Sequence, residues 1–321
     1  FSADIKAPYP LLVESDTPVD ALHITGRLAD EGVFATINRD LDLKHIDKSL
    51  RIRSKNLGYN ISAIKQFFSD HSQTSPQTDE DLDKKTDEAK AFTLNLTANN
   101  SQIYISPKSR ILADTINLEL RSGKLLVNLG HGPGKIVLHW EKDKFMVDGS
   151  DLNDEFMGAL IQNSRFHGGR MSISAKGSSD GVSAIIDIKE TVLNEMAIIN
   201  NLMAFLNTVP ALVTFSLPEY DTRGLPIDSA LVGLEFKNKV ATFESIEVLS
   251  PELHAKGKGK IDFSTKQIDL DIQLKTQAGK NVGKIPGVGY VLAGKDEDES
   301  LTVKLEGGLD DPKVDYSLLK E

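Results

Sequence analysis

The feature that most constrains this chain is an alternation of apolar and polar residues that recurs along most of its length. In the segment KQIDLDIQLKT, the polar residues Asp269, Asp271 and Gln273 separate the apolar ones. Successive side chains of a β-strand point to opposite faces of a sheet, so this spacing predicts strands with one apolar face and one solvated face. The positions predicted to line the apolar side are Phe92, Leu94, Leu96, Ile116, Leu118, Leu120, Ile136, Leu138, Trp140, Ile268, Leu270, Ile272 and Leu274.

The turns between these segments are short, as in Arg121-Ser122-Gly123. Turns of this length join antiparallel neighbours. Roughly eighteen to twenty segments alternate in this way, and a sheet of that many strands tends to curl or fold over on itself. The sequence therefore predicts a mainly β fold, a long curled antiparallel sheet that forms an apolar groove (β-taco-like), with about two or three helices. Two sheets packed dry against each other are the alternative that the pattern leaves open.

Three segments interrupt the alternation. Residues 69–90 are polar and charged, which predicts a mobile loop, or a weak helix over its second half, with little to bury. Residues 151–162 predict a short helix capped by Asp151 or Asn153. Residues 190–210 predict an amphipathic helix that covers an end of the sheet. The apolar stripe of that helix consists of Leu193, Met196, Ile199, Met203 and Leu206.

The predicted organisation is one continuous architecture with two parts. Residues 1–189 form the N-terminal part of the β-groove, and residues 190–321 carry the covering helix and the closing strands. Near the end of the chain, Pro286, Val288 and Tyr290 belong to a glycine-spaced apolar knuckle. This knuckle is interpreted either as a plug beneath the helix or as a tip that touches a membrane or a partner at the groove mouth.

Composition excludes several classes of function. The net charge of −10 and the pI near 5.3 argue against a nucleic-acid partner, because phosphate binding needs clustered Lys and Arg. The chain has no cysteine, so it has neither disulfides nor thiolate metal sites. No apolar run approaches the ~20 residues that a membrane-spanning helix needs.

The sequence also lacks the usual signatures of catalysis. The seven histidines form no metal-binding motif, and no G-x-S-x-G elbow occurs. The segment GHGPGK (130–135) superficially resembles a phosphate-binding loop. However, no Ser or Thr follows its lysine, and the next residues alternate like a strand rather than a helix. We interpret it as a turn, and we expect no enzymatic activity, no metal and no cofactor.

The order of segments in residues 190–321 carries a resemblance to a known family. A helix ending in LNTVP leads to a hairpin whose second strand is VATFESIEVLSP. A glycine-flanked strand, AKGKGKIDF, follows, and the chain closes on IPGVGY and the corner GGLDDP. This order resembles the C-terminal region of AsmA-like bacterial envelope proteins, the broad group that includes YhdP and TamB. Residues 1–189 match the group only in architecture.

The resemblance implies a non-enzymatic groove, apolar inside and polar outside, that conducts phospholipid between the inner and outer membranes. It implies phospholipid acyl chains as the ligand, and a membrane or a membrane protein at the groove ends. It places the chain in the periplasm of a Gram-negative bacterium, as a fragment of an inner-membrane-anchored protein that serves outer membrane biogenesis. Which lipid moves, in which direction, and in what oligomeric state are questions that the sequence leaves open.

The sequence leaves one alternative function open and disfavours another. The chain is alternatively a periplasmic scaffold or docking module that recruits a protein partner by β-strand addition to an edge strand. A glycan-binding surface is disfavoured, because one Trp and six Tyr provide few aromatic platforms for sugars.

Overall fold

A computed structural model describes residues 1–6, 12–14, 16–63, 66, 92–106, 109–160, 166–193, 224–251, 253–276, 301–309 and 311–318. These residues belong to two compact units. Unit 1 comprises Phe1–Phe145 with Glu155–Gln162, and unit 2 comprises Met146–Asp154 with Asn163–Glu321. The predicted loop at 69–90 and the apolar knuckle containing Pro286, Val288 and Tyr290 lie outside the described residues.

Almost all of the described chain is extended. The strands that begin in unit 1 are β1 (Ser2–Lys6), β2 (Leu12–Glu14), β3 (Thr17–Pro18), β4 (Ala21–Ala29), β5 (Gly32–Ile37), β6 (Leu41–Ile46), β7 (Ser49–Lys55), β8 (Gly58–Asn60), β9 (Thr93–Ser106), β10 (Ser109–Arg121), β11 (Lys124–His131), β12 (Gly134–Glu141) and β13 (Lys144–Leu152). Those of unit 2 are β14 (Phe166–His167), β15 (Arg170–Ser178), β16 (Gly181–Leu193), β17 (Leu225–Lys237), β18 (Val240–Leu249), β19 (Leu253–Asp262), β20 (Gln267–Thr276), β21 (Leu301–Gly308) and β22 (Asp311–Leu318). The predicted mainly β fold of long strands is confirmed.

In unit 1, β4 to β7 form an antiparallel meander, and β9 to β12 form a second one. The two meanders join through a parallel pairing of β7 with β9, in which Ile52 lies opposite Leu96. This parallel contact was not predicted. Parallel neighbours need a crossover of a dozen or more residues, and the long stretch of chain between Lys55 and Thr93 supplies one.

In unit 2, each strand from β15 to β22 pairs antiparallel with the next one in sequence. The tight turn between β17 and β18 contains Asn238 and Lys239, whose φ angles are 51° and 64°. Two successive positive φ values are typical of the type I′ turn, which matches the twist of the strands that it joins. The short antiparallel connections predicted from the sequence are confirmed here.

The predicted helix at 190–210 was wrong at its start. Residues 190–193 complete β16, where Thr191 lies opposite Ile227 and Leu193 lies opposite Leu225. Leu225 and Ile227 are buried, and Leu193 packs against them. Pairing with β17 therefore overrides the local helical spacing, and Leu193 belongs to a strand rather than to a helical stripe. Met196, Ile199, Met203 and Leu206 lie outside the described residues.

The short helix predicted at 151–162 is confirmed as α1 (Asp154–Leu160). Asn153 immediately precedes it, at the position of a cap, and Asp151 lies in β13. The helix buries Phe156 and Met157.

The GHGPGK segment forms the hairpin between β11 and β12, as predicted. Its residue His131 sits between two carboxylates, with Nδ1 3.3 Å from Oδ1 of Asp114 and Nε2 3.6 Å from Oε2 of Glu155. The imidazole also lies against the ring of Phe156, with 6.4 Å between ring centroids. His131 thus links the hairpin to α1.

Candidate functional site

The candidate site is the apolar face of the sheet in each unit. In unit 2, Val232 of β17 lies in a register row whose members are apolar or glycine in every strand from β15 to β21. Ile186 and Ile246 lie directly opposite Val232 on the two neighbouring strands. The full register row, from β15 to β21, is Ile173, Ile186, Val232, Ile246, Gly257, Ile272 and Val303.

Three parallel rows extend this face, and every residue in them is apolar or glycine. The first row is Met171, Ile188, Ala230, Val248, Ala255 and Leu274. The second is Ala175, Ala184, Leu234, Phe243, Gly259, Leu270, Leu305 and Val314. The third is Gly177, Val182, Phe236, Ala241, Ile261, Ile268, Gly307 and Pro312. Together the four rows define what we call the apolar face of unit 2.

Between β19 and β21 the opposite face of the sheet is charged, with opposite signs in register. Lys258 lies opposite Asp271, which in turn lies opposite Lys304. The Nζ atom of Lys304 is 2.9 Å from Oε2 of Glu306, and this hydrogen bond is the main reason why the pKa of Lys304 is raised. Cross-strand pairs of opposite charge stabilise a sheet and keep this face in water.

Burial is uneven along the apolar face of unit 2. Ile268, Leu270 and Leu274 of β20 are buried, as is Leu305 of β21. Farther along the same face, Ile186 of β16, like Val232 and Ile246, is only half-buried. The β20–β21 part is therefore ordinary core, and the β16–β18 part retains apolar area that a ligand can cover.

Two glycines of β19 hold the strands close beneath this face. A Cβ atom on Gly259 would lie 2.2 Å from the backbone oxygen of Asp269, and the φ angle of Gly259 is 146°. On Gly257 the nearest atom to a Cβ would be 3.2 Å away. Gly259 lies between Phe243 and Leu270 in register, and because it has no side chain, these two residues can approach each other above its backbone.

Unit 1 has an apolar face of the same kind. Ile52 of β7 is central to it, with Leu43 and Leu96 directly opposite. That row is Gly26, Ala35, Leu43, Ile52, Leu96, Leu118, Val127 and Leu138. One flanking row is Leu28, Val33, His45, Leu50, Leu94, Leu120, Leu125 and Trp140. The other is Ile24, Ile37, Leu41, Ser54, Ala98, Ile116, Leu129 and Ile136.

The structure thus brings eight of the predicted groove residues together in unit 1. These are Leu94, Leu96, Ile116, Leu118, Leu120, Ile136, Leu138 and Trp140. Phe92 immediately precedes β9 and is exposed. Ile268, Leu270, Ile272 and Leu274 lie on the apolar face of unit 2. That any of these side chains touches lipid stays a prediction.

Trp140 is the most exposed aromatic residue of the unit 1 rows, at 45%. Its indole N–H donates a hydrogen bond of 2.8 Å to the backbone oxygen of Lys142, and its ring lies 5.8 Å from that of Phe145. An indole held in this way presents apolar area while its polar group is satisfied.

Sequence reasoning missed two kinds of site residue. The first is Ser54, a polar residue buried within the apolar rows, whose hydroxyl hydrogen-bonds to the hydroxyl of Tyr59. Burial raises the pKa of Tyr59, and the bond to Ser54 opposes that shift. The second kind is the β17–β18 residues Val232 and Ile246. The segment ALVGLEF has consecutive apolar residues, and the pairing with β18 shifts register after Gly233. The sequence therefore shows no clear alternation of apolar and polar residues at these positions.

Chemically, the two faces can hold an apolar ligand. Across the described ranges, no group of three or more His, Asp and Glu side chains is placed to hold a metal ion. Among the helices that the structure describes, none is both long enough and apolar enough to cross a membrane.

Comparison with known proteins gives one match. A family model described as "YhdP protein" matches residues 36–314. The match extends far beyond residues 190–321, where the resemblance was strongest in the sequence, and covers both units. No curated protein and no solved structure matches the chain.

Proposed function

The chain belongs to the YhdP protein family, a group of AsmA-like envelope proteins, and on this premise we propose that its apolar sheet faces carry phospholipid acyl chains. In this proposal the chain conducts phospholipid between the inner and outer membranes without catalysing a reaction. It works in the periplasm of a Gram-negative bacterium, where a membrane or a membrane protein meets the ends of the groove.

One observation carries the proposal: four successive register rows of unit 2 contain no polar side chain from β15 to β21, whereas the opposite face carries paired charges between β19 and β21. A half-buried apolar region as continuous as that around Ile186 and Val232 is unusual in a protein surface unless something covers it. Acyl chains are long, flexible and apolar, and they need no specific hydrogen-bond partner along their length.

The energetics suit a conduit. Moving one methylene group from water to an apolar surface is favourable by about 0.8 kcal/mol. An acyl chain with about fourteen methylene groups is therefore stabilised by about 11 kcal/mol when it lies on an apolar face rather than in water. Transfer from a bilayer gains almost nothing, because the chain is already in an apolar medium. A face of this kind therefore holds lipid against water and still releases it to a membrane.

The test compares two neighbouring substitutions in β16. Ile186 lies on the apolar face, and Ile185 lies on the opposite face with a side chain that is 56% exposed. Protein made in bacteria is extracted with organic solvent, the lipids are measured by mass spectrometry, and folding is followed by the thermal midpoint. We expect wild-type protein and the Ile185→Glu variant to retain phospholipid. The Ile186→Glu variant should fold but lose it, because a carboxylate at an open wall reaches water yet obstructs an acyl chain.

Three results would count against the proposal. Unfolding of Ile186→Glu would indicate a closed core, and an Ile186→Glu variant with its full lipid complement would remove β16 from the path. Wild-type protein free of lipid would favour the alternative function, a docking module that adds a partner strand to a sheet edge.

A further inference from the structure

A basic concavity lies on the polar face of unit 1, on the side of the sheet opposite to the apolar rows. Its volume is about 620 Å³, and four cationic side chains line it: Arg27, Lys44, Arg51 and Arg53. All four are exposed. We call this concavity the basic pocket. It is unexpected in a chain whose net charge is −10.

Strand register explains how the pocket is built. Arg27 of β4 lies opposite Phe34 of β5, which lies opposite Lys44 of β6. The guanidinium carbon of Arg27 is 4.4 Å from the centroid of the Phe34 ring, and the Nζ atom of Lys44 is 5.2 Å from it. Cation–π attraction to one ring thus holds two cations on either side of it.

The pairing of β6 with β7 places two positively charged residues opposite each other. Lys44 lies directly opposite Arg51 of β7, and Arg53 lies two residues farther along the same face. Like charges directly opposite each other destabilise a sheet. In unit 2 the corresponding positions alternate in sign, as in Lys258, Asp271 and Lys304. The basic pocket departs from that arrangement, and such local conflicts concentrate at functional sites.

Few carboxylates compensate this charge. Among the described residues lining the pocket, the acidic side chain is Asp42, which accepts a hydrogen bond of 2.8 Å from the hydroxyl of Thr36. Asp42 lies opposite Arg53 in register. Outside the pocket, Glu31 approaches Arg27 at 4.0 Å. Within the described part of the chain, Lys44 and Arg51 form no ion pair, so their charge is available to a ligand.

From this arrangement we propose that the basic pocket binds a phosphate ester. The three guanidinium groups present planar forks of donors that match phosphate oxygens, and Lys44 adds an ammonium donor close by. The phosphate has two chemical sources: the headgroup of a phospholipid at a bilayer surface, or a small soluble phosphate ester. The proposal does not rest on the acyl-chain function, because the pocket occupies the other face of the sheet.

The test uses the whole chain and two probes. Glycerol 3-phosphate is titrated by calorimetry, and vesicles of phosphatidylcholine with and without phosphatidylglycerol are used in flotation. The test variant is Arg51→Gln with Arg53→Gln. Its control is Lys258→Gln with Lys260→Gln, which removes the same charge from the polar face of unit 2. The thermal midpoints of both variants are measured alongside.

We expect the wild-type chain and the control to bind at least one probe, and the test variant to bind it at least about tenfold more weakly, since it lacks two guanidinium groups that can donate charge-assisted hydrogen bonds to phosphate. Binding to phosphatidylglycerol vesicles alone would assign the site to a membrane headgroup, and binding to glycerol 3-phosphate alone would assign it to a soluble ester. The proposal is overturned if the wild-type chain binds neither probe. It is equally overturned if the test variant and the control lose binding to the same extent.

A second variant covers the case in which the double substitution fails to fold. Phe34→Leu keeps every charge but removes the ring that positions Arg27 and Lys44. Binding of the active probe should weaken in this variant while the charge of the chain is unchanged. Unaltered binding would show that the pocket is not organised by Phe34 and would contradict the proposed geometry.

Discussion

Leu270 and Leu305 lie directly opposite each other on neighbouring strands, and their side chains are only 5% and 0% exposed. In the same register row, Leu234 and Phe243 remain half-buried. One continuous apolar face therefore has two roles. It is a closed core at β20 and β21, and it is partly open between β16 and β18.

This difference predicts opposite outcomes for the same substitution. Leu270→Glu should destabilise the chain by several kcal/mol, about 3 or more, because it buries a carboxylate with no partner. Ile186→Glu, in the partly open part of the same face opposite Ile173 and Val232, should cost only about 1 kcal/mol or less, because its carboxylate can reach water. Urea unfolding of both variants measures the difference. Equal, small effects would mean that the β20–β21 part is also open.

A second prediction concerns the two glycines of β19. Gly259→Ala should cost about 3 kcal/mol, because the new Cβ would overlap the backbone oxygen of Asp269 and the backbone conformation suits only glycine. Gly257→Ala is the matched control and should cost about 1 kcal/mol or less, since its Cβ would make only a tight contact. Thermal midpoints of the two variants test this order, and a reversed order would refute the close approach at Gly259.

A third prediction concerns acid stability at the hairpin that follows β11. The backbone N–H of Gly132 donates a hydrogen bond of 2.7 Å to Oδ2 of Asp114. That bond, assisted by His131, holds the pKa of Asp114 below its ordinary value of 3.8. A lowered folded-state pKa means that the ionised carboxylate stabilises the fold above pH 3.8 and ceases to do so as the pH falls through the folded-state value.

Wild-type protein should therefore be more stable than Asp114→Asn at neutral pH, and the difference should shrink as the solution is acidified below that range. Chemical denaturation at a series of pH values measures it. Asp143→Asn, in the exposed turn after β12, serves as the control and should show no comparable trend. A stability difference that stays constant with pH would exclude the Asp114 carboxylate as its source.

A fourth prediction rests on the sequence. Deleting residues 69–90 should leave the thermal midpoint nearly unchanged, because they offer almost no apolar area. A flexible Gly-Ser linker of about twelve residues takes their place, because Asn60 lies opposite Tyr104 and the chain must return along β9 to reach Thr93. A loss of more than about 2 kcal/mol would show that the deleted residues contribute to the folded structure.

The sequence predicted which side chains share a face within a strand, because that depends only on the alternation. In KQIDLDIQLKT it placed Ile268, Leu270, Ile272 and Leu274 together, as observed. It could not predict which strands pair or in what register. The placement of Lys44 opposite Arg51, and hence the basic pocket, depends on the pairing of β6 with β7. The start of the helix at 190 was mispredicted for the same reason, since pairing with β17 decides the conformation of Leu193.

The pairing of every strand from β15 to β22 with its neighbour in sequence has a consequence for how such a chain can change in length. Each hairpin depends on the one before it and the one after it, as in repeat proteins. Inserting or removing a hairpin would alter the width of the sheet by about 10 Å without disturbing the register elsewhere. The width of the sheet is therefore an adjustable property of this architecture, set by the number of hairpins.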